Sequence, residues 1–477
     1  MKKIITILFL FIMLLSACAD EEPTGATEPA TDVPPTAEPA PTEEPAAEPT
    51  ANTSTEEVET SSSEEDSRGD TETASSFTPR YEPAVECFAS PPADLEIAVE
   101  YDCGYVVVPE FYAGENNRVV KVPFLRFNSG PENVAETPVL LLPGGPGQSH
   151  INELAFSVFE IMFGGVIPDR DVIFMDPRGT EHADTFLDCP AIYSLDWQAY
   201  EQELDDEAAV ELFREILQQC IDDFEGRGVN LDAYNSLELA GDVNALRQAL
   251  GYEQIIYFGT SYGGQLGQHV MRDYPEILEA VILNGAPPLS RKSWIEDNAL
   301  NNQNALDNLA ALCAGEGDQE CIEAFPDFPG QLEALLTRLE EDGPIPYTYS
   351  DPDDPSVTFE VEITADSLAG TIHTLMGDKN GVFGIPNFIY TFSQPDQFDV
   401  LVEALGEDIG GNIIASRDLT KGIEAFLLHL AVVCAEDTVK SEDEIILEGT
   451  GEFAQILARD AAELYIELCP ILNVREL

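Results

Sequence analysis

Basic residues are scarce in this chain: 22 Lys and Arg stand against 90 Asp and Glu in 477 residues, a formal net charge of −68. Such a surface cannot neutralise a phosphate backbone, which argues against nucleic acid as a partner. An anionic lipid surface would repel it as well, so membrane association needs a device other than charge. The apolar run Ile4–Leu15, broken only by Thr6, is too short to cross a hydrocarbon layer of about 30 Å as a helix. There is no Cys-x-x-Cys pair and no cysteine–histidine cluster, so nothing has zinc-site spacing, and no metal or cofactor is expected. Histidine occurs only at His150, His182, His269, His373 and His429, which leaves few possible imidazole bases. Apolar material is not lacking. Hydrophobic residues make up 44% of the chain, enough for a sizeable core. The length admits about three ordinary domains, or one α/β domain with insertions.

Residues 1–18 supply a membrane device. Lys2 and Lys3 precede the apolar run, the pattern of a secretory signal. Leu15-Ser16-Ala17-Cys18 resembles the lipobox of bacterial lipoproteins. The resemblance implies lipidation of Cys18 and anchoring at the outer face of a bacterial cell membrane, each buried CH₂ contributing about 0.8 kcal/mol. Setting Cys18 aside turns nine cysteines into an even eight in an exported chain. Residues 19–78 are Pro, Thr, Glu, Ala and Ser with almost nothing to bury, and read as a disordered tether, or as a glycosylated or wall-spanning stalk. Seventeen acids and one Arg fall there, so most of the excess negative charge belongs to the remainder.

Residues 79–286 read as an α/β core. Val106–Val108 and the alternating stretch 119–127 read as strands. The short continuous runs Val139–Leu142, Val172–Met175, Ile255–Phe258 and Ala280–Leu283 suit buried parallel strands covered by helices on both faces. Between them, Asn235-Ser236 is an N-cap signal, Leu239, Val243, Leu246 and Leu250 share one helical face, and Gly251 follows as a stop. This alternation predicts a doubly wound, mostly parallel sheet. Residues 287–470 carry long amphipathic helical patterns with one hairpin near Thr348–Ile363, and read as an inserted lid. The acidic loop 351–355 lacks calcium-loop spacing and reads as a turn. The eight cysteines fall into neighbouring pairs, Cys87 with Cys103, Cys189 with Cys220, Cys313 with Cys321 and Cys434 with Cys469, the pairing with the shortest loops to close.

The chemistry concentrates in two glycine-rich turns. Gly259-Thr260-Ser261-Tyr262-Gly263-Gly264 lies between the strand Ile255–Phe258 and a helical stretch, 265–274. A turn that tight excludes side chains at Gly259 and Gly263. It lifts the Ser261 hydroxyl to the carboxyl end of the sheet, beside a helix N-terminus that favours negative charge. Pro143-Gly144-Gly145-Pro146-Gly147 follows another strand. Acyl transfer needs two N–H donors on the tetrahedral oxyanion, and losing one costs about 10²–10³ in rate. Tyr262, following the nucleophile, and Gly145, where substrate can approach the backbone, are the expected pair.

LLLPGGPG, DVIFMDPRGT, YFGTSYGGQLG and VVCAED, in this order between about Cys103 and Cys469, resemble segments of the α/β-hydrolase serine peptidases that include the prolyl and tripeptidyl aminopeptidases. The resemblance implies an exopeptidase acting at peptide N-termini, with a helical lid and a peptide substrate. Glu181-His182 departs from the glycine and serine usual there, which puts the local loop in question and not the fold. It also implies an Asp and a His on loops after the last two strands, beyond the lid. The five histidines lie elsewhere. His269, on the elbow helix, reads as structural, His373 and His429 as ordinary residues of lid helices, and His150 as a possible lining of the pocket. The triad Asp and His are therefore expected beyond Leu477, with residues 471–477 opening the missing last part of the core and the chain a C-terminally truncated piece.

In Cys434-Ala435-Glu436-Asp437, Glu436 and Asp437 are the candidates for holding a peptide's ammonium group, with a helix cap or a solvated position as the alternative. Three functions remain open. They are an exported aminopeptidase acylated on Ser261, a carboxylesterase or lipase-like hydrolase, and a catalytically incomplete surface binding module.

Overall fold

The computed structural model describes residues 77–477, apart from 94, 98, 115, 130–136, 164–168, 315–318 and 423. The signal, Cys18 and nearly all of the tether lie outside the described residues. Seven strands form one sheet: β1 (Arg80–Pro83), β2 (Tyr101–Pro109), β3 (Val119–Phe127), β4 (Val139–Leu142), β5 (Val172–Met175), β6 (Ile255–Thr260) and β7 (Leu278–Asn284). Their order is β1-β2-β3-β5-β4-β6-β7. The pairings β1·β2, β2·β3 and β3·β5 are antiparallel, whereas β5·β4, β4·β6 and β6·β7 are parallel. The sheet is mixed, and its parallel half carries the functional turns.

Five helices accompany the sheet: α1 (Glu153–Phe163), α2 (Leu195–Glu201), α3 (Asp206–Gly226), α4 (Ser236–Leu250) and α5 (Tyr262–Asp273). Successive strand residues point to opposite faces, and the two faces bury different helices. Leu141, Phe174, Leu125 and Phe127 pack with Ala155, Phe156 and Phe159 of α1. Leu140, Leu142, Ile173 and Met175 pack with Leu239, Val243, Leu266 and Val270 of α4 and α5. The limits of α4 follow its sequence. The Asn235 side chain accepts from the Leu237 and Glu238 N–H groups, and Gly251 closes the helix at φ 83°.

β7 departs from the expectation of a burial on both faces. Among the described residues it pairs only with β6, so it is an edge strand, and Ile282 and Leu283 stay 47% and 38% exposed. Its apolar run reflects what a central strand needs, while its position leaves that run uncovered.

Beyond β7 come α6 (Asn298–Cys313), α7 (Gln319–Ala324), α8 (Phe328–Asp342), the hairpin β8 (Ile345–Ser350) and β9 (Thr358–Ile363), α9 (Ala365–Gly377), α10 (Ile385–Phe392), α11 (Phe398–Ser416), α12 (Phe426–Glu436) and α13 (Glu452–Leu472). Every residue of α12 from Phe426 to Ala435 is buried, which explains why its sequence is apolar all round. The eight cysteines close as Cys87–Cys103, Cys189–Cys220, Cys313–Cys321 and Cys434–Cys469, the last joining α12 to α13. Among the described residues no helix is long and apolar enough to cross a membrane.

Candidate active site

Ser261 stands between β6 and α5 at φ 53° and ψ −119°. A positive φ is costly for a residue with a Cβ and is kept only where neighbours impose it. Three neighbours do so. The Ser261 N–H donates to the Asn284 carbonyl at the end of β7, at 2.8 Å, and the Ser261 carbonyl accepts from the N–H groups of Gly264 and Gln265. A Cβ on Gly259 would lie 2.2 Å from the Gly263 carbonyl oxygen, and one on Gly263 would lie 2.5 Å from that of Pro143. The elbow therefore closes only with glycine at both places, and Gly263 presses it against the turn that follows β4.

That turn faces the serine. A Cβ on Gly144 would sit 3.1 Å from Ser261 Cβ and 3.5 Å from Ser261 Oγ, so the space beside the hydroxyl is open because residue 144 has no side chain. Gly145 comes next, at φ 104°. Tyr262 opens α5, where helix geometry leaves the first N–H groups without carbonyl partners. Its ring is fully buried, with the hydroxyl 2.7 Å from Ser236 Oγ. The arrangement offers a strained hydroxyl at a helix N-terminus with a side-chain-free turn beside it. Such a site suits attack on a carbonyl carbon and backbone donation to the resulting oxyanion.

The histidines are engaged elsewhere. His429 is buried with Nδ1 3.0 Å from Glu424 Oε2 and Nε2 2.9 Å from the Tyr465 hydroxyl. His182 Nε2 reaches the Ile151 carbonyl at 2.8 Å, and its ring stacks on Phe88. His373 Nδ1 lies 3.0 Å from Asn302 Oδ1. His269 sits between Arg272 and Glu436, and burial holds its pKa down to about 4. His150 packs against Phe174 with its Nε2 3.7 Å from Asp176 Oδ1, and burial lowers its pKa to about 4. Among the described residues no group of three or more His, Cys, Asp and Glu is placed to hold a metal.

Glu436 ends α12. Its Oε1 accepts from the Ser236 N–H at the start of α4, and its Oε2 lies 3.8 Å from His269 Nε2. Its side chain is 8% exposed, and burial raises its pKa to about 7. Asp437 is held by Arg291 at 2.7 Å and Gln265 at 3.2 Å, joining the end of α12 to the elbow helix. At the other end of α12 the Ala425 N–H donates to the Gly147 carbonyl at 3.0 Å, and Asp188 accepts from the Phe426 N–H. α12 is thus fixed at one end to the turn that follows β4 and at the other to the helix that follows Ser261.

Two charged residues of the segment 176–180 have roles that sequence reasoning missed. Arg178 is fully buried and forks onto Asp242 at 2.7 and 2.6 Å, with further bonds to the Glu110 and Ala233 carbonyls. Asp176 turns the other way and binds the loop after the glycine-rich turn. Their signal was charge placed directly after the apolar strand β5.

Mixed strand order, a strained serine between β6 and α5 in the parallel half, and a glycine turn packed on it together define an α/β-hydrolase fold. Residues 137–318 match the α/β hydrolase fold family. Among its relatives are the serine protease Hip1 of Mycobacterium tuberculosis, 30% identical over 220 residues, and the tripeptidyl aminopeptidase of Streptomyces lividans, 27% identical over 217. These matches cover 44% and 43% of this chain and 41% and 39% of the relatives, so the chain spans about two-fifths of their length. Carboxylesterase B of Mycobacterium tuberculosis is 25% identical over 317 residues, covering 65% of this chain and 58% of its own.

Proposed function

We propose that the chain is an exported aminopeptidase that releases residues or short peptides from peptide N-termini through an acyl-enzyme on Ser261. The observation that carries the reading is the strained Ser261 facing a turn whose Gly144 leaves open the space that a side chain would take from the hydroxyl. In this mechanism Ser261 Oγ attacks the scissile carbonyl carbon and its proton passes to a histidine base. The Gly145 and Tyr262 N–H groups hold the oxyanion, and collapse expels the amine with that proton. Water then hydrolyses the ester. Among the described residues His182, His269, His373 and His429 meet other groups, and His150 lies beside Asp176.

Relatives named as a serine protease and a tripeptidyl aminopeptidase support the peptide substrate. The four disulfides fit an oxidising compartment, in line with export and a lipid anchor at Cys18. The reading of residues 287–470 as a lid draws support from the seat of α12 on Gly147. A carboxylesterase is the second reading, favoured by the carboxylesterase relative. Rates on free-amine aminoacyl anilides and on short acyl esters separate the two. The proposal expects the anilides to be cleaved and their N-acetylated forms to be refused, and cleavage of the esters alone would reverse the assignment.

A further inference from the structure

Asp176 is fully buried directly after β5. Its carboxylate accepts from the Ser149 hydroxyl, from the His150 N–H at 3.0 Å and from the Ile151 N–H at 3.4 Å. All three donors belong to one short loop, and that loop continues the glycine turn that faces Ser261, where a side chain at Gly144 would crowd the hydroxyl. Backbone N–H groups in such a loop could face any nearby acceptor. Here one carboxylate gathers two of them and a hydroxyl, from a strand end that cannot move because β5 pairs with β3 and β4.

The opposite side of the same loop is pinned too, since the Ile151 carbonyl meets His182 Nε2. A buried carboxylate is costly even with these donors and with His150 Nε2 3.7 Å from its Oδ1, so its presence calls for a gain elsewhere. Isolated stability is a poor candidate for that gain, because a neutral side chain would avoid the desolvation that raises this group's pKa to about 7. The geometry suggests a different benefit, a fixed distance between the loop and the nucleophile.

We infer that Asp176 is a positioning residue for the oxyanion turn, holding residues 149–151 so that the Gly145 N–H stays aimed at the carbonyl that Ser261 attacks. This rests on the reading of Ser261 as nucleophile. A misplacement of about 1 Å in such a group costs about 10²-fold in rate. Asp176 touches neither substrate nor the reacting atoms, and it acts through the loop alone.

The test is Asp176→Asn, with Ser149→Ala as the milder variant, in the full chain reacted with a fluorophosphonate. Asparagine keeps the shape but sets an NH₂ group against a donor. D176N should still take one probe per folded chain, about 10²-fold more slowly than the wild type, and S149A should be slowed less. A purely structural role would lower the fraction of chain labelled and leave the rate of the labelled fraction unchanged. That outcome, or D176N reacting at the wild-type rate, overturns the inference. If wild-type Ser261 takes no probe, the nucleophile reading fails instead, and amide hydrogen exchange decides the loop separately. D176N should then speed exchange across residues 144–151 by about tenfold or more, and unchanged exchange there overturns the positioning role.

Discussion

The side chain proposed as the nucleophile is held at a backbone angle that the fold must impose. Ser261 sits at a backbone angle that costs about 1–3 kcal/mol for a residue with a Cβ. Glycine would adopt it freely, so Ser261→Gly should raise stability by about 1 kcal/mol in urea denaturation while removing all hydrolysis. A less stable variant would mean that the turn is not strained. Glu436 allows a second test at this scale. Its pKa is raised to about 7, above the ordinary glutamate range, because burial disfavours the ionised form. The folded chain therefore holds a proton that the unfolded chain has released. Stability from this group is full below about pH 4.5, falls as pH rises toward 7, and stays at the lower level above. Glu436→Gln keeps an acceptor for the Ser236 N–H and should flatten that fall, gaining up to about 3 kcal/mol at pH 8. An unchanged pH profile would show that Glu436 is not carrying the proton. The same variant bears on substrate binding, since a raised KM for free-amine substrates would point to an ammonium contact.

At the scale of elements, helix α12 joins the helical region to the catalytic turns. Arg291 holds Asp437 at 2.7 Å with both side chains nearly buried, and its guanidinium lies over Trp294. Arg291→Met leaves Asp437 buried with Gln265 but without its counter-charge and should cost about 3 kcal/mol in denaturation. Adding Asp437→Asn should recover much of the loss, and no recovery would mean that the pair is not the cause. Several elements were legible in the sequence because their causes are local. Asn235 and Gly251 mark the two ends of α4, and the two glycine-rich turns mark the strand ends that build the site. The seat of α12 was not legible. An all-apolar helix states that it is buried, but its partners lie hundreds of residues away. Asp176 and Arg178 were missed for the same reason: their motif was visible, but their separate bonds to residues 149–151 and to Asp242 depend on packing.

For the whole molecule, charge and the sheet edge oppose each other. A net charge of −68 keeps copies apart at low ionic strength. β7 leaves Ile282 and Leu283 exposed on an edge strand, a surface that invites pairing with another strand. Raising salt from low to about 0.5 M shortens the screening length to a few ångströms and should drive self-association seen by light scattering. Ile282→Lys should suppress it, and equal association in both chains would place the contact elsewhere. The run Ala280–Leu283 reads as a strand and forms part of β7, while its exposure depends on neighbours that its composition does not name.

The central claim is that Ser261 is an activated nucleophile. The most direct measurement is mass spectrometry of the chain after reaction with a fluorophosphonate. The account predicts one adduct, on the peptide containing Gly259–Gly264, absent in Ser261→Ala. Reaction at a different serine, or an intact Ser261 in a chain that nonetheless cleaves peptides, would contradict it.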